Sequence, residues 1–118
     1  MTSAGGDDRD YTFTYEPALH DAFPALYEAE REWLAQIDSL TEPDRKTHEL
    51  VRLTCSVIQR NDAGIERHAQ LAAEVGATWG DIAGTIMLTQ PAFGMWLAVA
   101  ALPPARRGYE RARPPETE

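Results

Sequence analysis

From Leu19 onward the apolar residues of this chain recur at helical spacing, and only one segment alternates as a strand would. That segment is Tyr11-Thr12-Phe13-Thr14-Tyr15. A strand needs a partner for its backbone groups, and no second convincing strand pattern exists. Residues 1–16 are therefore expected to form a flexible N-terminal arm laid over a neighbour's surface. The remaining pattern predicts an all-α fold.

Helix starts and stops divide the pattern. Leu19, Phe23, Leu26, Tyr27, Trp33, Leu34 and Ile37 follow the 3.6 period, with Pro24 dividing them into a short helix and a longer one. Thr41 with Asp44 predicts the next helix start, and the helix should run to about Arg60 with Leu50, Leu53, Thr54, Val57 and Ile58 buried. Asn61 or Asp62 can cap a following helix that closes at Gly76, and Thr78 with Asp81 repeats the capping logic. Pro91 should kink or divide the last long helix, and Pro103-Pro104 should stop it. Tyr109 is expected to anchor a short final helix, and residues 112–118 to be a disordered tail. One helical domain over residues 17–111 is the expectation for 118 residues.

The net charge of −8 argues against nucleic acid as a partner and against anionic membrane surfaces. No apolar run approaches the ~20 residues that span a bilayer, and the N-terminus lacks the features of a signal peptide. A cytoplasmic location is expected. The single cysteine, Cys55, allows no intrachain disulfide, and it reads as a buried small apolar residue. A peroxidase working through Cys55 is a distant alternative.

Glu49 and His68 fall on consecutive helices joined near Asn61. A carboxylate bordering an apolar stripe is desolvated, with an expected rise in pKa, and a histidine beside it can serve as general acid or base. Counted from Asn61, Glu49 lies twelve residues back and His68 seven forward, rises of ~18 Å and ~10 Å. Contact then requires a crossing angle, a longer turn or a second subunit. Taken alone, His68 reads more readily as a core or interface histidine than as a catalytic one, and Glu49 more readily as a solvated helix charge. His20 and His48 are expected at the surface, and no third group appears that would build a metal site with Glu49 and His68.

The stretch Glu49 to His68, with Ala69, Gly76-Ala77-Thr78 and Phe93-Gly94, resembles the carboxymuconolactone decarboxylase superfamily, which includes the alkyl hydroperoxidase D-like proteins. The resemblance covers roughly residues 17–102 and implies a single-domain bundle of about five to six helices. Redox members carry Glu, then Cys-x-x-Cys, then three residues and a His. Here the cysteine positions hold Asn61 and Gly64. Thiol redox activity is not expected without a thiolate pair. The resemblance implies a cofactor-free decarboxylase, or a related lyase or isomerase, acting on a small unsaturated acid or lactone. It also implies a homo-oligomer, a trimer or hexamer. Glu49 and His68 would be catalytic, while Asn61, Arg52 and Trp96 are candidates to bind substrate. Arg60 and Arg67 are further candidates to hold a substrate carboxylate. Gly64 is expected to leave room for substrate beside His68. Gly84 stands where the family usually carries Glu, and Gln90 to Trp96 does not match the decarboxylases' Tyr-x-Gly-x-Pro pattern. The alternative is a non-catalytic small-molecule binder or assembly protein on the same scaffold.

Overall fold

The computed structural model describes residues 16–112. Residues 1–15, with the Tyr11–Tyr15 segment, and residues 113–118 lie outside the described residues, while Glu16, expected in the arm, opens the first helix and Ala112, expected in the tail, closes the last. The elements are α1 (Glu16–Ala22), α2 (Pro24–Asp38), α3 (Arg45–Ile58), α4 (Asp62–Glu74), α5 (Trp79–Met87), α6 (Gln90–Phe93) and α7 (Met95–Ala112). The fold is all-helical among the described residues: six helices, and a single turn at α6. No described helix is long and apolar enough to cross a membrane.

The chain forms two compact units that part between Leu40 and Thr41. In the first, α1 packs on α2, and Pro24 occupies the opening turn of α2, where its missing N–H costs nothing. Tyr27 organises this unit. The His20 ring meets it edge-on at 4.7 Å, and the Arg31 guanidinium lies over it at 5.1 Å and donates a hydrogen bond to its hydroxyl. Arg31 also pairs with Glu16 at 3.6 Å.

The second unit holds the core, built around Leu53, Val57, Ile65, Ala69, Ala72, Ile82, Ile86, Ala98 and Ala101. α7 lies along α4, α3 packs on α4, and α5 on α7. Asn61 caps α4 by accepting from Gly64 N at 3.0 Å. Gly76 follows that helix with φ 106°, a conformation that favours glycine. Thr78 and Asp81 form the reciprocal capping box of α5, each bond 3.0 Å long.

Several local expectations change. The cap of α3 is Asp44 rather than Thr41: its side chain accepts from Thr47 N at 2.8 Å. Pro43 disfavours helical geometry at the residue before it, so the helix starts later. α3 stops at Ile58, and Arg60 turns the chain with φ 56°. The buried face of α3 is His48, Glu49, Leu53, Ser56 and Val57, while Ile58 is exposed and Leu50 and Thr54 are half-buried. Cys55 consequently points outward and is exposed, and His48 is buried rather than on the surface.

Pro103-Pro104 does not end α7, which continues to Ala112 and contains Tyr109. The carbonyls that two proline N–H groups would have served belong to Val99 and Ala100. Both residues are exposed, so water can serve those carbonyls. Beyond the prolines, Ala105, Gly108 and Tyr109 are buried. Packing on α4 offsets the ~3 kcal/mol that an interior proline costs. Pro91 divides the preceding run as expected, with Gly94 at φ 98° between α6 and α7.

Candidate functional site

Glu49 reaches the interior because it shares a helical face with Leu53 and Ser56 on α3. His68 shares a face with Ile65, Ala69 and Ala72 on α4. The two side chains meet within one chain: His68 Nδ1 lies 3.0 Å from Glu49 Oε1, and both residues are 6% exposed. Measured from the helix ends, Glu49 lies nine positions before Ile58 and His68 six after Asp62, rises of ~13 Å and ~9 Å. Counting from Asn61 charged the three-residue connection to the α3 side alone and overstated the mismatch.

An ionised carboxylate only accepts hydrogen bonds, so Nδ1 carries the proton. Nε2 is then left to accept or donate, and it has no hydrogen-bond partner among the described residues.

Cations surround the carboxylate. Arg45 Nη1 lies 3.4 Å from Glu49 Oε2. Arg52 Nη1 donates to His48 Nε2 at 3.4 Å, which leaves the proton of a neutral His48 ring on Nδ1. Burial pushes the Glu49 carboxyl upward. The hydrogen bond from His68 and the charges of His68, His48 and Arg52 outweigh it, and Glu49 is held below its ordinary value. The expected rise is thus reversed: Glu49 is an ionised partner that orients His68, not a proton donor at neutral pH.

The remaining candidates are placed unevenly. Asn61 Oδ1 is committed to capping, and Nδ2 is left as a donor. Arg52 lies half-buried on α3, one turn beyond His48. Trp96 is 81% exposed in the first turn of α7 and makes no ring contact or hydrogen bond among the described residues. Arg60 is exposed and Arg67 half-buried. Gly64 leaves no room beside α3: a Cβ there would lie 2.6 Å from Ser56 Oγ and 2.9 Å from Asn61 Nδ2. Sequence reasoning missed Ser56 and His48. Ser56 carries no local motif, and its place against Gly64 emerges only when α3 and α4 are laid together. No group of three or more His, Cys, Asp or Glu among the described residues is arranged to hold a metal ion.

No curated protein and no solved structure matches the chain. The family model described as "Carboxymuconolactone decarboxylase family" matches residues 17–107, and so includes Glu49, Asn61, Gly64 and His68. The chain belongs to the carboxymuconolactone decarboxylase family.

Proposed function

We propose that the protein is an acid-base enzyme that works without a cofactor of its own. Its substrate is a small unsaturated carboxylic acid or lactone, and its reaction is decarboxylation or a related lyase or isomerase step. The observation that carries this reading is the buried 3.0 Å pair of Glu49 and His68 in a chain with no cysteine pair beside it.

In the decarboxylation the C–CO2⁻ bond breaks, and its electron pair moves into the conjugated carbonyl as an enolate. Carbon dioxide leaves. His68 then delivers a proton from Nε2 to carbon and regains one from solvent. Glu49 fixes the ring and compensates its charge while it holds two protons. Arg45 and Arg52 tilt the local balance toward cations in an acidic chain, which suits an anionic substrate.

The test is carbon dioxide release and ultraviolet absorbance of the conjugated carbonyl over a panel of unsaturated lactone acids. Turnover by the wild-type chain should fall about 10²–10⁴-fold in His68→Ala. Unchanged turnover in both His68→Ala and Glu49→Gln would sink the reading, and binding without turnover would favour the non-catalytic alternative.

A homo-oligomer belongs to the same reading. Residues 82–105 contain no ionisable side chain, and they expose Leu88, Phe93, Met95 and Trp96. An apolar surface of this kind is where two acidic chains can approach without repulsion. Sedimentation of the wild-type chain and of Trp96→Glu tests it: a single mass for both would count against this surface.

A further inference from the structure

Basic side chains in the first turn of a helix oppose its dipole, and α3 opens on two of them. Behind the Asp44 cap come Arg45 and Lys46, with no acidic residue in that turn. Lys46 reaches across to α5, where it pairs with Asp81 at 3.7 Å. Arg45 instead turns back along its own helix and donates to Glu49 Oε2 at 3.4 Å. That pair runs Arg before Glu at a spacing of four, the less favourable of the two orders on a helix. Helix stability is therefore a poor reason for it.

The effect on the carboxylate is a better one. The last torsion of a glutamate side chain is broad and roughly two-fold, so a carboxylate held by one oxygen can turn about it. Glu49 is held by both, Oε1 by His68 and Oε2 by Arg45. The three groups form a row that passes from solvent to the interior. Side-chain exposure falls from 41% at Arg45 to 8% at Glu49 and 7% at His68. Burial opposes the ionisation of Glu49, and the His68 hydrogen bond with the charges of His68, His48 and Arg52 overcomes it. What Arg45 adds is the plane of the carboxylate. A fixed, ionised Oε1 only accepts, so the His68 ring turns its protonated Nδ1 toward it and keeps Nε2 for a reactant.

We propose that Arg45 is a positioning residue of the site: by holding Glu49 Oε2 it sets the carboxylate plane and, through it, the ring orientation and tautomer of His68. The inference deepens the acid-base reading and rests on it for the chemistry that Nε2 performs. Arg45 acts only through Glu49, from a place that solvent reaches. Its effect on the imidazole is a property of the free protein and needs no substrate to be seen.

Two-bond proton–nitrogen NMR of the full-length protein, labelled in its three histidines, reads the tautomer directly. At about pH 9, well above the ordinary imidazole range, the wild-type His68 ring should carry its proton on Nδ1. Arg45→Met should move a measurable part of the population to the Nε2-protonated form. Arg45→Lys keeps a donor within reach of Glu49 and should restore most of the Nδ1 form. The melting temperature of Arg45→Met should stay level or rise, because a cation has left the N-terminal turn. With any compound the protein turns over, kcat should fall about tenfold in Arg45→Met, the loss of one hydrogen bond to a charged group, while KM holds. An unmoved tautomer in Arg45→Met, whatever its melting temperature, would reduce Arg45 to a structural tie and overturn the proposal. No recovery in Arg45→Lys would also overturn it, as would an effect on KM alone, which would mean that the guanidinium only attracts an anion. A moved tautomer with no turnover of any compound would leave the Arg45 role standing and the acid-base reading failed. Turnover lost in His68→Ala but untouched in Arg45→Met would remove the Arg45 role alone.

Discussion

His68 Nδ1 and Glu49 Oε1 stand 3.0 Å apart across nineteen residues of chain, and this contact ties α4 to α3 as well as orienting the imidazole. Glu49→Gln keeps the shape but loses the charge. It should cost about 1.5–3 kcal/mol of stability at neutral pH, as for other hydrogen bonds to charged groups. Urea unfolding measures it.

The same pair sets a pH dependence. Glu49 titrates below its ordinary value in the folded chain, so the unfolded state binds its proton first as pH falls. Its contribution is complete above the unfolded value and disappears as pH drops through the lower, folded one. The stability gap between wild type and Glu49→Gln should therefore hold level above the ordinary value of 4.5 and narrow as pH falls below it. A gap that widens on acidification contradicts the assignment.

Gly108 marks the closest approach of α7 to α4. A Cβ there would run into the carbonyl oxygen of Glu66, with the Glu66 carbonyl carbon at 2.9 Å and Gln70 N at 3.1 Å. These are backbone atoms that cannot rotate aside. Gly108→Ala should cost about 2–3 kcal/mol or more, in the range of overpacked cores, despite the better helix propensity of Ala. Thermal unfolding would show it.

Restoring the missing cysteine pair should be cheaper than that but not free. At Gly64 the obstacles are the ends of two side chains, Ser56 Oγ and Asn61 Nδ2, and Asn61→Cys also removes the cap. The double variant Asn61→Cys, Gly64→Cys should lose about 1–2 kcal/mol, mostly the cap. Ser56→Gly added to it should recover part of the loss, which chemical denaturation can resolve.

Cys55 is exposed on the outer side of α3. A thiol reagent should label it in the native protein at a rate close to that in denaturant. Protection by more than about a hundredfold would mean that this side of the helix is covered.

What was legible in the sequence was mostly local. Asn61 as a cap, Thr78 with Asp81, the division at Pro24 and the turn at Gly76 each depend on a few neighbouring residues, and each appears as read. The Glu49–His68 pairing was visible as a spacing but not as a contact, since it depends on where α3 stops and how two helices cross. Helical faces were the weaker inference. A shift of one residue turns a side chain by ~100°, enough to bury His48 and expose Cys55. Ser56 was invisible for a deeper reason: its place opposite Gly64 exists only once two helices are packed.

α7 runs through two consecutive prolines on its way from Met95 to Ala112. Its backbone is two hydrogen-bond ladders set end to end, with missing rungs at Pro103 and Pro104. Cooperativity passed from amide to amide is interrupted there, so continuity of the chain's longest described helix is enforced from outside, by the neighbours it lies on. In deuterium exchange the amides from Ala105 onward should open together with α4, and those between Leu97 and Leu102 on their own schedule. One helix by geometry would then behave as two units in time.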